Sequence, residues 1–458
     1  VHPKLSNMME LGGMNTVFAR AAGQYLYDLE GNRYLDLLSG GGIHFAGRNH
    51  PKILEALREA TADHLPNLCV VNASILGGAL AERLLKLAGD HSGKVLFANS
   101  GAEAVDSAMR FARYVSHRTR FLYLDGAFHG RTWGAISVNG FEEMREGLEP
   151  FLPDCKAIPP NDPEALEREI ARGDVAAFIV EPVQGMTLTP LEPEYMRTAE
   201  RLCRRFGTLL IADEIQTGLA RCGVWFVSTD HHQIRPDLIT VGKVLSGGMV
   251  PVSAVLISND VYKRFYDKFA SRPFYMSSFA ENNLAMSAGI ATLDVLAELD
   301  APRRAAELSQ RFRSGFDELA RKYDVIDRTA GMGLMLGVYF KDSTRLALKA
   351  QQRLLAAGNK SAFGAAVNVG LYARRSIVHV PGPGQNAIKV LPPVVCTDAD
   401  VDFFLECLSD TLHAFYGSRG PLLTLGGTFA KNALKTLRGA PPASREIDAR
   451  QAGRLRPV

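Results

Sequence analysis

The sequence has no long apolar run and almost no net charge. No stretch approaches the roughly 18 apolar residues of a membrane span, and the opening VHPKLSNMMELGG lacks the apolar core of a signal peptide. Because 52 Lys and Arg balance 49 Asp and Glu, there is no basic field for nucleic acid. We therefore expect a soluble cytoplasmic protein with no membrane or nucleic-acid partner.

Paired cysteine motifs are also missing. Scattered cysteines without a CxxC pair are typical of reduced thiols, and they argue against a disulfide framework or a zinc site. We therefore expect no metal. The six cysteines are Cys69, Cys155, Cys203, Cys222, Cys396 and Cys407.

What the sequence does have is the alternating pattern of an α/β protein. Its 458 residues, 47% of them hydrophobic, suffice for a large core and a second domain. From about residue 94 to 260, short β-branched runs alternate with amphipathic segments, which predicts a mainly parallel sheet flanked by helices. Ligands bind such sheets at the carboxyl ends of the strands. The predicted strands are KVLFAN, RFLYLD, AAFIVEP, TLLIADE, DLITVG and SAVLIS.

The two chain ends predict a smaller α+β domain. Near the N-terminus, QYLYDLEGNRYLDLLSGGG is typical of a hairpin followed by a glycine-rich loop. After residue 417 comes a segment with eight Lys or Arg and two acids, a composition typical of a solvated tail. The expected division is 1–75 (first part of the small domain and a linking helix), 76–305 (large domain), 306–417 (rest of the small domain) and 418–458 (basic appendage).

Four motifs could carry chemistry. The first, VLFANSGAEAVDSAMR, predicts a strand, a turn at Ser100 and Gly101, and a helix whose free N–H groups suit a phosphate. An ordinary strand-to-helix turn is the alternative.

The second motif, FLYLDGAFHGRT, presents Phe128 and His129. Phe128 could cover a planar ring, although the motif by itself favours a core phenylalanine beside a hydrogen-bonded loop histidine.

The third and fourth motifs place a carboxylate and an amine at strand ends. In TLLIADEIQTG, a buried Asp213 requires a positive partner such as a protonated ring nitrogen, and Gln216 could donate to the same ring. A glycosidase pair with Glu214 is disfavoured because adjacent strand residues face opposite ways. In PDLITVGKVLSGG, a desolvated Lys243 could attack a carbonyl, whereas most lysines are surface charges.

In this order, SGAEA, FHGRT, EPVQG, DEIQTG and TVGK closely resemble the class III pyridoxal 5′-phosphate (PLP) aminotransferases, which include ornithine, acetylornithine and ω-amino acid transaminases. The resemblance extends roughly from Asn15 to Tyr416. It implies the fold-type-I architecture and a homodimer with shared active sites. It also implies ping-pong transfer of an amino group from an amine donor to a carbonyl acceptor, with PLP as the cofactor.

The resemblance also implies a role for each matching residue. Lys243 would hold PLP as a Schiff base, Asp213 would pair with the ring nitrogen, and Glu181 would sit in the substrate half of the pocket. Gln216 would contact the side of the PLP ring that carries the 3-oxygen. Phe128 and Ile215 would lie against the two faces of that ring. The implied catalytic residues are Lys243, Asp213 and Glu181, and the implied cofactor-binding residues are Lys243, Asp213, Gln216, Ile215, Ser100, Gly101, Ala102, Phe128, His129 and, from the other subunit, Ser278.

Two departures from the family pattern concern the substrate. Lys389 stands where many members have an arginine that clamps a carboxylate, and the two are not equivalent there. The loop after EPVQG reads MTLTP instead of a glycine-rich run. We therefore expect an aliphatic amine, aldehyde or ketone for one half-reaction. We expect this substrate to belong to secondary metabolism and to be presented by a carrier protein or a fused domain.

Several alternatives stay open from the sequence. Ornithine or acetylornithine would be substrates if Lys389, or instead Arg374 or Arg375, grips a carboxylate. A racemase, aminomutase or decarboxylase would share every cofactor residue, and a binding module with a vestigial site is a further alternative. For the basic appendage, we expect no part in cofactor chemistry and, if it has a function, contact with an acidic partner such as a carrier protein.

Overall fold

The computed structural model describes residues 9–10, 12–62, 66–67, 74–89, 93–266, 277–417 and 420–421. Most of the basic appendage and Cys69 lie outside these ranges. Within the described ranges, no helix is long and apolar enough to cross a membrane.

The secondary structure alternates along the middle of the chain as the sequence predicted. Within the described ranges, the strands are β1 (Phe18–Ala22), β2 (Tyr25–Asp28), β3 (Arg33–Asp36), β4 (Gly93–Ala98), β5 (Arg120–Leu124), β6 (Cys155–Ile158), β7 (Val175–Val180), β8 (Leu209–Asp213), β9 (Leu238–Val241), β10 (Ser253–Ser258), β11 (Ile326–Met332), β12 (Met335–Phe340), β13 (Ser376–Ile377) and β14 (Ala387–Val390). The longer helices there are α1 (Pro51–Ala62), α2 (Ile75–Leu87), α3 (Gly101–Ser116), α4 (Trp133–Ser137), α5 (Pro163–Ile170), α6 (Pro193–Phe206), α7 (Asn259–Tyr266), α8 (Asn283–Glu298), α9 (Ala301–Lys322), α10 (Leu346–Gly358), α11 (Ala362–Ala373) and α12 (Asp398–Tyr416).

A seven-stranded sheet forms the centre, with strand order β4-β10-β9-β8-β7-β5-β6. Strands β5 to β9 pair in parallel, whereas β10 is antiparallel to both of its neighbours. This confirms the predicted α/β class with its mainly parallel sheet. The prediction missed one strand, β6, whose sequence CKAI is short and interrupted by a lysine.

Helices cover the sheet because each buries one apolar face. Along α3, Ala104, Ala108 and Ala112 are fully buried, and these small side chains allow the helix to approach the sheet closely. The parallel strands β7, β8 and β9 all end at the same edge of the sheet. The residues that follow them, together with the turn after β4, therefore converge there.

Two smaller sheets complete the fold. In the first, β2 and β3 form the predicted hairpin, and the carboxylate of Asp28 accepts a hydrogen bond from the Asn32 amide over 2.8 Å. The same sheet pairs β3 with β13 in parallel, which joins segments from both halves of the chain. The other sheet has the order β11-β12-β14. The domain boundaries stay a prediction.

Candidate active site

A cavity of about 440 Å³ opens at the carboxyl edge of the central sheet. Its walls come from the turn after β4, the loop after β5, and the ends of β7, β8 and β9. Of the eleven residues that the resemblance assigned to the site, ten line this cavity: Ser100, Gly101, Ala102, Phe128, His129, Glu181, Asp213, Ile215, Gln216 and Lys243. The structure therefore brings together motifs that are far apart in the sequence.

Lys243 lies just beyond β9, at the start of a short 3-10 turn. Its φ of 41° is left-handed, a conformation that costs energy for a residue other than glycine and is concentrated at functional sites. Burial lowers the pKa of the Lys243 amine, although the Asp213 and Glu181 carboxylates act in the opposite direction. A lowered pKa makes the neutral, nucleophilic amine more accessible.

Asp213, the last residue of β8, is held on both carboxylate oxygens. Oδ2 lies 2.7 Å from His129 Nδ1, and Oδ1 accepts from the Thr240 hydroxyl at 3.0 Å. The Ile215 amide donates to Oδ1 as well, at 3.2 Å. An ionised carboxylate accepts, so His129 Nδ1 carries the proton in this pair. These contacts fix an anion at the wall of the cavity.

Glu181 follows β7 and faces the same cavity. Its two oxygens accept from the Phe128 amide and the Gly185 amide, each at 2.8 Å. Burial raises the pKa of this carboxyl, and the neighbouring Asp213 adds to the rise. Glu181 thus links the loop after β5 to the loop after β7.

The amino end of α3 lines the opposite part of the cavity. The Ser100 hydroxyl caps the helix by accepting from the Glu103 amide at 3.2 Å, and the first N–H groups of a helix have no partner within it. Gly101 is close to Ile215, so that a Cβ at Gly101 would lie 2.9 Å from Ile215 Cδ1. A larger residue at position 101 would therefore require the Ile215 side chain to shift.

Gln216 is tied into a second network behind the cavity. Its amide nitrogen donates to the Gly41 carbonyl at 2.9 Å, and its amide oxygen accepts from Lys389 Nζ at 2.9 Å. Lys389 also donates to the Gly185 carbonyl. Burial and, to a lesser extent, the charge of Lys243 together lower the pKa of Lys389 to about 7, against the opposing effect of Glu181.

Neither of the two arginines considered for a carboxylate clamp lines the cavity. Arg374 donates to the carbonyls of Gly370 and Asp410, and Arg375 donates to the Asn32 side chain. Their guanidinium groups are therefore used in these hydrogen bonds, next to strand β13. The structure does not bring them to the site.

Ser278 is the one assigned residue that does not line the cavity of its own chain. It is exposed in a turn before α8. Its neighbour Ser277 accepts a hydrogen bond from the side chain of Asn99, a cavity residue, over 2.7 Å. The turn therefore borders the mouth of the cavity.

The sequence did not single out three supporting residues. Thr240 pairs with Asp213 because β8 and β9 are in that register. Asn139 accepts from the His129 amide and donates to the Gly130 carbonyl. Arg221 is fully buried, donates to the Gly42 carbonyl at 3.1 Å, and has its pKa lowered to about 9 by burial. Only the Thr240 contact had a sequence signal, a polar residue in an apolar strand.

The donor set fits a phosphorylated planar ring. The cavity falls within the roughly 300–1,000 Å³ of small-molecule sites. It combines a helix amino end suited to a phosphate, a fixed carboxylate suited to a ring cation, and a buried amine of lowered pKa. These are the groups that PLP requires of a protein.

Comparison with known proteins agrees with this arrangement. Residues 9–412 match the family model for the class-III aminotransferases. Acetylornithine aminotransferase of Archaeoglobus fulgidus is 32% identical over 395 residues, which are 86% of this chain and 94% of that protein. Aminotransferase PigE of Serratia sp. is 33% identical over 401 residues, or 86% of this chain but 44% of PigE. This chain thus spans less than half the length of that relative.

The fold comparison points the same way. The structure of ornithine aminotransferase from Toxoplasma gondii, in which PLP partially occupies the active site, has 29% identity and a TM-score of 0.77. The match covers 87% of this chain and 90% of that one. The resemblance found in the sequence is thereby confirmed: the chain belongs to the class-III aminotransferase family and is a PLP-dependent aminotransferase.

Proposed function

We propose that this aminotransferase exchanges an amino group between a small amino-acid donor and an aliphatic aldehyde or ketone, with Lys243 as the residue that carries PLP. The observation that carries the proposal is the placement of Lys243, Asp213 and Glu181 around one cavity. PLP, when bound, supplies a conjugated ring that stores the electron pair left when a proton leaves the substrate carbon.

Lys243 would move that proton. Its lowered pKa allows the amine to be neutral when a substrate amine arrives, and a neutral amine can accept a proton and return it. Because Lys243 lies two residues beyond the buried strand β9, its side chain reaches the cavity from a fixed position. The same residue can therefore hold the cofactor at rest and serve as acid and base during turnover.

Asp213 would hold the positive charge of the ring nitrogen. The Thr240 hydroxyl and the His129 ring anchor its two oxygens, so that little reorganisation is required when charge develops. The amino end of α3, with Ser100, Gly101 and Ala102, would receive the phosphate. Phe128 and Ile215 would enclose the ring from its two faces.

The buried hydrogen bonds of Lys389 support a substrate that has no α-carboxylate next to this residue. Lys389 Nζ donates to the Gly185 carbonyl and to the Gln216 amide oxygen, and Lys389 does not line the cavity. With a pKa of about 7, it is largely uncharged above neutrality. It therefore offers an incoming carboxylate less than an arginine would, since an arginine is always charged and can bind bidentately.

A panel of substrates tests this proposal. The kcat/KM values of ornithine, acetylornithine and γ-aminobutyrate should be lower than those of a medium-chain aldehyde series, with alanine or glutamate as the donor. If ornithine or acetylornithine is preferred by about tenfold or more, equivalent to roughly 1.4 kcal/mol, the substrate class is wrong. The enzyme would then be an ornithine- or acetylornithine-type aminotransferase.

The surface around Ser278 supports a homodimer with shared sites. Two exposed apolar side chains flank this turn: Ile75 is 87% exposed and Phe279 is 62% exposed. The two segments adjoin, since a Cβ on Gly77 would lie 3.1 Å from a Glu281 carboxylate oxygen. Such a patch beside a cavity mouth is typical of a surface that a second subunit covers.

We place the enzyme in the cytoplasm, in secondary metabolism.

A further inference from the structure

Helix α10 (Leu346–Gly358) exposes an apolar face. Leu346 is 83% exposed and Leu354 is 66% exposed. Three alanines are exposed beside them, and at helical spacing all five fall within an arc of about 100°. We call this surface the α10 stripe; its residues are Leu346, Ala347, Ala350, Leu354 and Ala357.

The opposite face of α10 fixes the orientation of the stripe. Leu348 is buried in the core. The buried Gln352 accepts from the Ser343 amide at 2.7 Å and donates to the Lys341 carbonyl at 2.9 Å. Rotating the helix to bury the stripe would break these contacts. The stripe therefore stays on the surface unless another segment covers it.

The chain itself returns to this helix after α12. Gly420 and Pro421 are buried, and a Cβ on Gly420 would overlap the side chain of Gln351. By helical spacing, Gln351 lies next to Ala347 and Leu354 at one border of the stripe. The chain thus leaves Pro421 at the edge of the stripe, near the middle of the helix.

The sequence that follows Pro421 is apolar and uncharged. Residues 420–430 read GPLLTLGGTFA, and the first charge after them is Lys431. Three or four extended residues reach about 10–13 Å, whereas half of this 13-residue helix is about 10 Å long. Leu422, Leu423 and Leu425 can therefore reach the stripe without strain in the chain.

We propose that residues 422–429 of the same chain dock on the α10 stripe. Burial of the leucines and Phe429 against Leu346 and Leu354 supplies the free energy, since both surfaces are apolar. An acidic partner fits less well, because the stripe residues carry no charge and the bordering Arg353 already pairs with Asp342 at 3.1 Å. A second copy of the chain would have to compete with residues 422–429, which Gly420 holds next to Gln351 in the same chain.

Disulfide trapping in the full chain tests the contact. Ala350→Cys combined with Leu423→Cys should form an intrachain crosslink, because Ala350 lies in the stripe. Ala356→Cys combined with Leu423→Cys is the matched control, since Ala356 is exposed but lies outside the stripe. We expect at least about tenfold more crosslink in the first pair, as for a tethered contact, measured by peptide mass spectrometry on a mixture of isotopically light and heavy chains.

Three results would overturn the proposal. One is equal crosslinking of the two pairs, another is no crosslink, and the third is a crosslink that joins only light to heavy chains, which would assign the stripe to a second copy. Hydrogen exchange gives an independent measurement. Leu354→Asp should speed amide exchange in residues 422–429, whereas Ala356→Asp should leave it unchanged; unchanged exchange in both variants would also reject docking.

Discussion

Lys389 Nζ donates a hydrogen bond to the amide oxygen of Gln216 over 2.9 Å, from a buried position behind the cavity. The bond joins a charged amine that does not line the cavity to a residue of the cavity wall. The charge of Lys389 would therefore act on the substrate from behind the wall, through Gln216, which would contact PLP.

Recognition of a carboxylate should weaken as pH rises through about 7. The pKa of Lys389 is lowered to about 7, so its amine is charged below that pH and neutral above it. The kcat/KM ratio of 4-oxobutanoate to butanal should fall across this range, because only the first acceptor carries a carboxylate. Groups whose titration changes kcat/KM equally for both acceptors do not affect this ratio.

A substitution provides the control for this pH effect. Lys389→Arg should raise the ratio and make it independent of pH near 7, since a guanidinium stays charged. A ratio that changes equally with pH in both proteins would show that another group titrates.

Replacing the carboxylate that would face the ring nitrogen should slow catalysis strongly. We expect Asp213→Ala to lower kcat by at least about 10²–10³-fold, as for removal of a preorganised charge, and to weaken PLP retention. Thr240→Val should lower kcat by only about tenfold, because one hydrogen bond from a neutral donor to Asp213 is lost while the other contacts of the carboxylate remain. Unchanged kcat and PLP affinity in Asp213→Ala would assign the role to another acid.

The close approach of Gly101 and Ile215 should contribute to cofactor binding. Gly101→Ala would place a Cβ 2.9 Å from Ile215 Cδ1, so we expect PLP to bind at least about tenfold more weakly, a modest cost for overpacking. Ile215→Ala in the same chain should restore part of the affinity. Gly78→Ala is the matched control, because nothing lies within 4 Å of its Cβ position.

Mixed dimers should reveal whether Ser278 serves the site of the other chain. We expect Lys243→Ala and Ser278→Asp homodimers to be inactive, the second because an added charge repels the phosphate. Mixing the two chains should restore roughly a quarter of the wild-type activity, since half of the dimers carry one intact site of two. No recovery in proven heterodimers would place Ser278 in its own chain's site, and an active Ser278→Asp homodimer would place it outside any site.

The sequence predicted the strands best where apolar residues run without interruption. The strands β5, β7, β8 and β9 are almost entirely buried, so their sequences are continuously hydrophobic. The edge strand β6 has one neighbour and only four residues, Cys155–Ile158. A short edge strand requires little hydrophobic sequence, and periodicity alone cannot find it.

The candidate site was predictable as far as its motifs extend. Asp213 ends a strand, Lys243 and the turn at Gly101 each follow one, and the rule for parallel sheets brings them together. The contact between Asp213 and Thr240 depends on strand register, and the contact between Lys389 and Gln216 joins residues 173 positions apart. Such long-range pairs are set by tertiary packing, which a single sequence does not encode in any local pattern.

Transfer of a labelled nitrogen tests the central claim most directly. With ¹⁵N-alanine as donor and an aliphatic aldehyde as acceptor, the wild-type enzyme should deliver ¹⁵N to the acceptor, whereas a racemase or decarboxylase would not. Lys243→Ala, loaded with PLP, should lose at least about 10³-fold of this transfer, since both the cofactor anchor and the proton carrier are gone. Transfer by the Lys243→Ala variant at near the wild-type rate would contradict the account.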